Sequence, residues 1–172
     1  TGVFLNASER FIIDKIQKYN LGAIQLHGGE DARFCQKLKL ILEASGINPS
    51  LKIIKVFSIK EEFDFRALEE FEEIANYFLF DTKGENKGGN GYKFNWDILM
   101  DYPSTKPFFL SGGIGNDSLK EIRSLMEFFS ENGKAGLLYA IDVNSKFEIS
   151  PGVKDIKMLE KFNAELKNNG IR

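Results

Sequence analysis

Pro107-Phe-Phe-Leu-Ser-Gly-Gly-Ile-Gly-Asn-Asp-Ser-Leu-Lys-Glu-Ile-Arg-Ser-Leu-Met126 changes character twice within a short distance. Pro107 to Leu110 is an apolar run of strand length, and Ser111 to Gly115 is a glycine turn. Asp117 then stands where a helix N-cap would, ahead of Leu119, Ile122, Leu125 and Met126 at the spacing of one helical face. The stretch reads as a strand followed by a helix, and the same alternation runs outward from it in both directions.

Toward the N-terminus, Gly2-Val-Phe-Leu-Asn6 precedes a helical pattern with Ile12, Ile13 and Ile16 on one face and Ser8 as its cap. Ala23 to Leu26 precedes a second helix through Phe34, Leu38, Ile41 and Leu42, which stops at Gly46 as helices commonly do at glycine. Lys52 to Ile59 is rich in β-branched residues, and Glu61 to Tyr77 places Phe65, Leu68, Phe71, Ile74 and Ala75 at helical spacing. Tyr77 to Phe80 is a fourth strand, followed by a glycine loop and a short helix around Trp96 to Met100. Toward the C-terminus, Gly136 to Ile141 is a sixth strand and Val153 to Leu166 the last helix. Six strand-helix units predict an α/β fold with a parallel sheet covered by helices, because parallel strands need crossover connections. Such units close as a barrel of eight or stay open as a doubly wound sheet, and spacing permits both.

Composition narrows the function classes. A chain of 172 residues suits one domain over 1–172, and 42% hydrophobic with 28% charged residues is the balance of a globular protein. No apolar run reaches the roughly 18 residues of a membrane span. A single cysteine excludes an internal disulfide and points to a reducing cytoplasm. A net charge of -2, with both signs interspersed, leaves no face for nucleic acid. Thr1 already lies in a strand pattern, so the domain is expected to be N-terminally incomplete.

In both architectures ligands bind beyond the carboxyl ends of the strands, so function is read there. Gly112 and Gly113 expose backbone N–H groups near a helix start, an arrangement that can cradle phosphate and that also serves a tight turn. Asp142, Asn144 and Ser145 follow the next strand, and the last two strand loops of an eight-stranded barrel often share one phosphate site. The same polar residues also satisfy turns. Asp81, directly after Phe78-Leu-Phe80, is expected to be partly desolvated, which raises a carboxyl pKa and suits a general acid; it can equally cap a turn at Thr82. The segment from Thr82 to Gly91 has the length and glycine content of a loop that closes over a ligand. His27 is the one histidine, so no multi-histidine metal site exists, and it serves a structural role as readily as a catalytic one. Cys35, within the second helix, is a packing or surface thiol. The lysines and acids on the helices read as ordinary solvated faces.

Taken in order, several stretches resemble the phosphoribosylanthranilate isomerase family, (β/α)8 barrels of tryptophan biosynthesis. Ile24-Gln-Leu-His-Gly28 is similar to that family's Q-L-H-G motif. Leu79-Phe-Asp-Thr82, Gly88-Gly-Asn-Gly91 and Phe94-Asn-Trp96 resemble its L-D-(S/T), G-G-T-G and F-D-W pattern. Ser111-Gly-Gly-Ile114 is similar to its A-G-G-L turn, and Asp142 to Asp155 resembles its D-V-S-S-G-V-E and P-G-x-K-D ending. The resemblance implies a TIM (β/α)8 barrel with six of its eight β/α units in this chain. It also implies an Amadori rearrangement of N-(5-phosphoribosyl)anthranilate to 1-(2-carboxyphenylamino)-1-deoxyribulose 5-phosphate, without metal or organic cofactor, in a monomer or homodimer.

By the same resemblance Asp81 is the general acid that protonates the ribose ring oxygen. Gln25 and His27 line the pocket, Asp142 lies near the sugar, and Gly112, Gly113, Asn144 and Ser145 surround the phosphate. Asn144 and Lys146 depart from the family's serine and glycine, so the expectation there rests on the backbone. The family's general-base cysteine, in a first-strand K-x-C-G motif, and its carboxylate-binding arginine have no counterpart here. The first two units are therefore expected to be missing. Two other readings remain: another barrel enzyme acting on a sugar phosphate, and a flavodoxin-like module that binds a phosphate ligand without chemistry.

Overall fold

The computed structural model describes residues 1–82 and 93–168. Strands β1 (Gly2–Phe4), β2 (Ala23–Leu26), β3 (Lys52–Ile59), β4 (Tyr77–Thr82), β5 (Phe108–Leu110) and β6 (Leu138–Ile141) are hydrogen-bonded in chain order in a six-stranded sheet. Pairing is parallel, with Val3 opposite Gln25 and Gln25 opposite Ile54. The α/β class and the parallel sheet expected from the alternation are both present. The chain divides into two compact units, Thr1–Phe57 with Asp64–Leu79, and Ser58–Phe63 with Phe80–Arg172. No helix among the described residues is long and apolar enough to cross a membrane.

In the first unit, helix α1 (Glu9–Tyr19) starts at Ser8, whose hydroxyl accepts the Phe11 N–H, and it buries Ile12 and Ile16. Helix α2 (Ala32–Ser45) starts at Asp31, which accepts the Phe34 N–H at 2.7 Å, and ends at Gly46 in the left-handed region. Its inner face is Cys35, Leu38 and Leu42. The helix expected over Glu61 to Tyr77 is instead a short 3-10 helix, Phe65–Phe71, capped by Asp64. The apolar spacing was sound, since Leu68, Phe71, Ile74 and Ala75 are all buried. Glu69, Glu72 and Glu73 fall at i, i+3 and i+4, where like charges would weaken an α-helix by a small amount. Phe57 meets both Phe71 and Phe78 edge-on, with ring centroids 5.4 Å apart in each pair.

In the second unit, helix α3 (Leu119–Glu131) buries Ile122, Leu125 and Phe129. Phe108 of β5 meets Phe80, Tyr102 and Phe129 in edge-to-face contacts of 5.1 to 5.7 Å, and this aromatic cluster is the centre of the unit's core. Asp117 is not the cap of α3. It lies inside a 3-10 turn, Asn116–Ser118, and Ser118 is the residue that enters the helix. The pull on Asp117 is Lys146, whose ammonium stands 3.3 Å from its carboxylate. Val153 does not begin the last helix either. It belongs to an antiparallel hairpin of β7 (Glu148–Ser150) and β8 (Val153–Lys154), and α4 (Ile156–Asn168) follows, with Asp155 accepting the Met158 N–H at 3.0 Å.

The pairing of β5 with β6 is irregular. Phe108 stands opposite Leu138 and Phe109 opposite Ala140, so Tyr139 is an extra residue on β6. Beyond it Leu110 pairs with Ile141, and the Asp142 N–H donates to the Leu110 carbonyl at 2.8 Å.

Candidate functional site

In the first unit Asn6 follows β1, Gln25 and His27 lie at the end of β2, and Lys55 lies within β3 opposite Leu26. The His27 N–H donates to the Phe4 carbonyl at 2.8 Å, continuing the ladder past the last residue of β2. The Gln25 amide nitrogen lies 3.2 Å from His27 Nδ1. An amide nitrogen only donates, so in this contact Nδ1 is the acceptor. The structure thus brings together the two residues singled out in this part of the sequence. Gly28 follows without room for a side chain, because a Cβ there would lie 2.6 Å from the Asn6 backbone nitrogen.

Glu30 and Lys55 were not singled out by sequence reasoning, yet both are buried at this end of the unit. Glu30 accepts the Asn6 N–H at 2.7 Å and the Gly28 N–H at 2.8 Å. Lys55 stands 3.6 Å from the same carboxylate and donates to the Gly28 carbonyl at 3.2 Å. A lysine within an otherwise apolar parallel strand is the signal that would have found them, since such a strand is covered on both faces and a buried cation needs a partner. Cys35 packs beside this pair. Burial pushes its thiol up to about 11, against the opposing pull of Lys55, so it is a poor base and a poor nucleophile.

In the second unit Asp81 is half-buried on β4, and one of its carboxylate oxygens accepts the N–H of Thr82 at 2.8 Å. Thr82 in turn accepts the Phe94 N–H through its hydroxyl at 3.2 Å. Asp81 therefore does make the local turn contact. The loop glycines Gly88, Gly89 and Gly91 lie outside the described residues.

Ser111 continues β5, its N–H donating to the Phe80 carbonyl at 2.8 Å. Its hydroxyl lies 3.4 Å from Asp142 Oδ2, which joins the ends of β5 and β6. Gly112 and Gly113 follow with φ of +88° and +67°, the left-handed region. At Gly112 a side chain is excluded twice over, because a Cβ would also lie 2.5 Å from the Thr82 backbone nitrogen. The turn therefore presses backbone against the strand that bears Asp81.

Asn144 precedes a 3-10 turn, Ser145–Phe147, and its carbonyl accepts the Phe147 N–H at 3.0 Å. Its side-chain oxygen is taken by Lys154, which also pairs with Glu148 at 2.7 Å. The hydrogen bond from Lys154 holds the Glu148 carboxyl below its ordinary value. Lys146 reaches from this turn to Asp117, beside Gly115, tying the loop after β6 to the loop after β5. Partial burial works against ionisation of Asp117, but the hydrogen bond and charge of Lys146 outweigh it, and the carboxyl lies below its ordinary value. Among the described residues the arrangement brings backbone N–H groups, hydroxyls and two lysines, Lys146 and Lys154, each paired with a carboxylate, around the ends of two adjacent strands, where an anion could be held.

The model of the family described as N-(5'phosphoribosyl)anthranilate (PRA) isomerase matches residues 1–165. The N-(5'-phosphoribosyl)anthranilate isomerase of Phocaeicola vulgatus is 42% identical over 166 residues, which is 96% of this chain and 73% of the relative. Among solved structures, the phosphoribosyl anthranilate isomerase of Thermotoga maritima aligns over 97% of this chain and 72% of its own, with a TM-score of 0.69 and 28% identity. A phosphoribosyl anthranilate isomerase in complex with reduced 1-(o-carboxyphenylamino)-1-deoxyribulose 5-phosphate aligns with a TM-score of 0.65 and 26% identity, over 97% of this chain and 70% of that one. The chain spans about seven tenths of the length of these relatives. Ordered motifs, the parallel sheet and a match over nearly the whole chain agree, and the chain belongs to the PRA isomerase family.

Proposed function

We propose that this chain acts as a phosphoribosylanthranilate isomerase, with Asp81 as its general acid. Its six parallel strands stand for six of the eight β/α units of a (β/α)8 barrel. The observation that carries the reading is the junction of β5 and β6 in a chain of this family: a side-chain-free turn at Gly112 and Gly113 beside the Ser111 to Asp142 hydrogen bond. The backbone N–H groups of that turn, with Ser145 and the backbone at Asn144 on the next loop, hold the substrate's phosphate. Asp142 faces the sugar, and Gln25 and His27 are substrate-lining residues of the first unit.

With the phosphate fixed, Asp81 gives its proton to the ribose ring oxygen as the bond from that oxygen to C1 breaks. The electron pair of the anthranilate nitrogen closes a Schiff-base-like iminium at C1. Loss of the C2 proton returns those electrons to nitrogen and leaves an enolamine, which becomes the ketone by tautomerisation. The acceptor of the C2 proton is not Cys35, whose thiol is buried on α2 and held protonated at neutral pH. By the family resemblance the proton passes to a cysteine of a first-strand K-x-C-G motif, which these 172 residues do not include. Because these residues lack that base, loss of the substrate's fluorescence after mixing with the full-length protein, first two β/α units included, tests the reading. A first-order decay proportional to protein concentration is expected; an unchanging signal at high protein concentration refutes it.

A further inference from the structure

Glu30 and Lys55 are oppositely charged and buried, but their mutual distance of 3.6 Å is longer than a charge-assisted hydrogen bond of about 2.7–2.9 Å. The short contacts of both groups go elsewhere. The two oxygens of Glu30 take the N–H groups of Asn6 and Gly28 at 2.7 and 2.8 Å, and Lys55 donates to the Gly28 carbonyl at 3.2 Å. Asn6 closes the arrangement from the other side, its side-chain oxygen accepting the Gly29 N–H at 2.7 Å. Gly28 is thus held at its N–H by one charge and at its carbonyl by the other, while the Asn6 backbone blocks its α-carbon.

We propose that Glu30 and Lys55 are positioning residues that clamp the Gly28 peptide and thereby fix the loop that presents His27 to the substrate. A pair built only to neutralise itself would place its charges in direct contact, and a replacement of both by uncharged residues would then cost the loop nothing. Here each charge neutralises the other at a distance while ordering one of the two peptide groups that meet at the Gly28 α-carbon, immediately after the pocket histidine. The Phe71 and Phe57 rings, 5.6 and 6.0 Å from the Lys55 ammonium, shut the pair away from water and strengthen its hold. The clamp stands without the isomerase reading, and only the role of His27 toward substrate rests on it.

The double variant Glu30→Gln/Lys55→Met removes both charges at once and so leaves no unpaired ion in the core. Backbone order parameters from ¹⁵N relaxation at Gly28 and Gly29 should fall from about 0.85 to below about 0.6, with Trp96 in the other unit unchanged. The KM for phosphoribosylanthranilate should rise about tenfold, the loss of one hydrogen bond's worth of positioning, with kcat within a factor of about two. A rigid loop in the double variant overturns the proposal, and so does a mobile loop with an unchanged KM. If the double variant does not fold, amide exchange in the unaltered protein decides: Gly28 should be protected at least about a hundredfold, and an unprotected amide overturns the clamp. If the unaltered protein turns over no substrate, the isomerase reading fails and the order parameters alone judge the clamp.

Discussion

Gly112 and Gly136 share a φ of +88°, yet only Gly112 has neighbours where a side chain would go. Replacing each by alanine therefore separates two costs. In Gly136→Ala the new methyl meets nothing within 4 Å, so the loss is the left-handed backbone alone, about 1–2 kcal/mol. In Gly112→Ala the same backbone cost applies, and the methyl would also lie 2.5 Å from the Thr82 nitrogen and 2.8 Å from its Cβ. Ordinary contact needs about 3.5–4.0 Å, so the turn must retreat by about 1 Å, with an overpacking cost of about 1–3 kcal/mol. The total for Gly112→Ala is about 2–5 kcal/mol. Urea unfolding followed through Trp96 gives both values, because this one tryptophan is buried and lies in the same unit. Retreat of the turn would also move the phosphate donors, so the affinity of Gly112→Ala for a product analogue should fall while that of Gly136→Ala holds. Equal losses of stability in the two variants would refute the close-approach reasoning, whatever their absolute size.

Asp81→Asn keeps the shape of the side chain and removes its transferable proton. Turnover should drop by about 10²–10⁴ with product-analogue affinity nearly unchanged, and near-normal turnover in the fluorescence assay would remove the residue from the mechanism. The pairing of Asp117 with Lys146 lowers the carboxyl's folded-state pKa below the ordinary 3.8, so its stabilisation is present above that pH and is lost as pH falls through the lower folded value. Asp117→Asn should therefore show a smaller drop in melting temperature between pH 5 and about pH 2 than the parent does. For Cys35 the sign is opposite: a thiol raised from 9.0 to about 11 keeps its proton in the fold, so stability declines as pH rises between those values. A thiol reagent at pH 8 should label Cys35 slowly in the native protein and rapidly in urea; equal rates would show that the thiol is not enclosed.

The alternation of apolar strands and amphipathic helices made the parallel sheet legible, because burial on both faces leaves an unmistakable run of apolar residues. Ser8 and Gly46 were equally plain, since a cap needs only its local hydrogen bond. Asp117 misled for the same reason that Ser8 did not: a distant lysine, Lys146, competed for it, and no local rule contains that partner. The apolar spacing after β3 marked which residues are buried and not how far the helix runs. At the candidate site, Gln25 with His27 and Ser111 with Asp142 could be approached from strand ends alone. Glu30 and Lys55 could not, as each looks like a surface charge until the other is seen 25 positions away.

The extra residue on β6 changes the strand's course and not its pairing. Without Tyr139 the register would be regular: Phe108 would still face Leu138, Phe109 Ala140 and Leu110 Ile141, and only the bulge with its local bend and twist would go. A single-codon deletion there would therefore keep every β6 residue opposite its present neighbour and alter only the direction in which the strand delivers Asp142. An added residue after Ala140 would instead put Ile141 and Asp142 out of step with β5. Making both variants would expose the difference: the insertion should cost more binding than the deletion. In this strand the spare residue sets direction, and the residues after it set register.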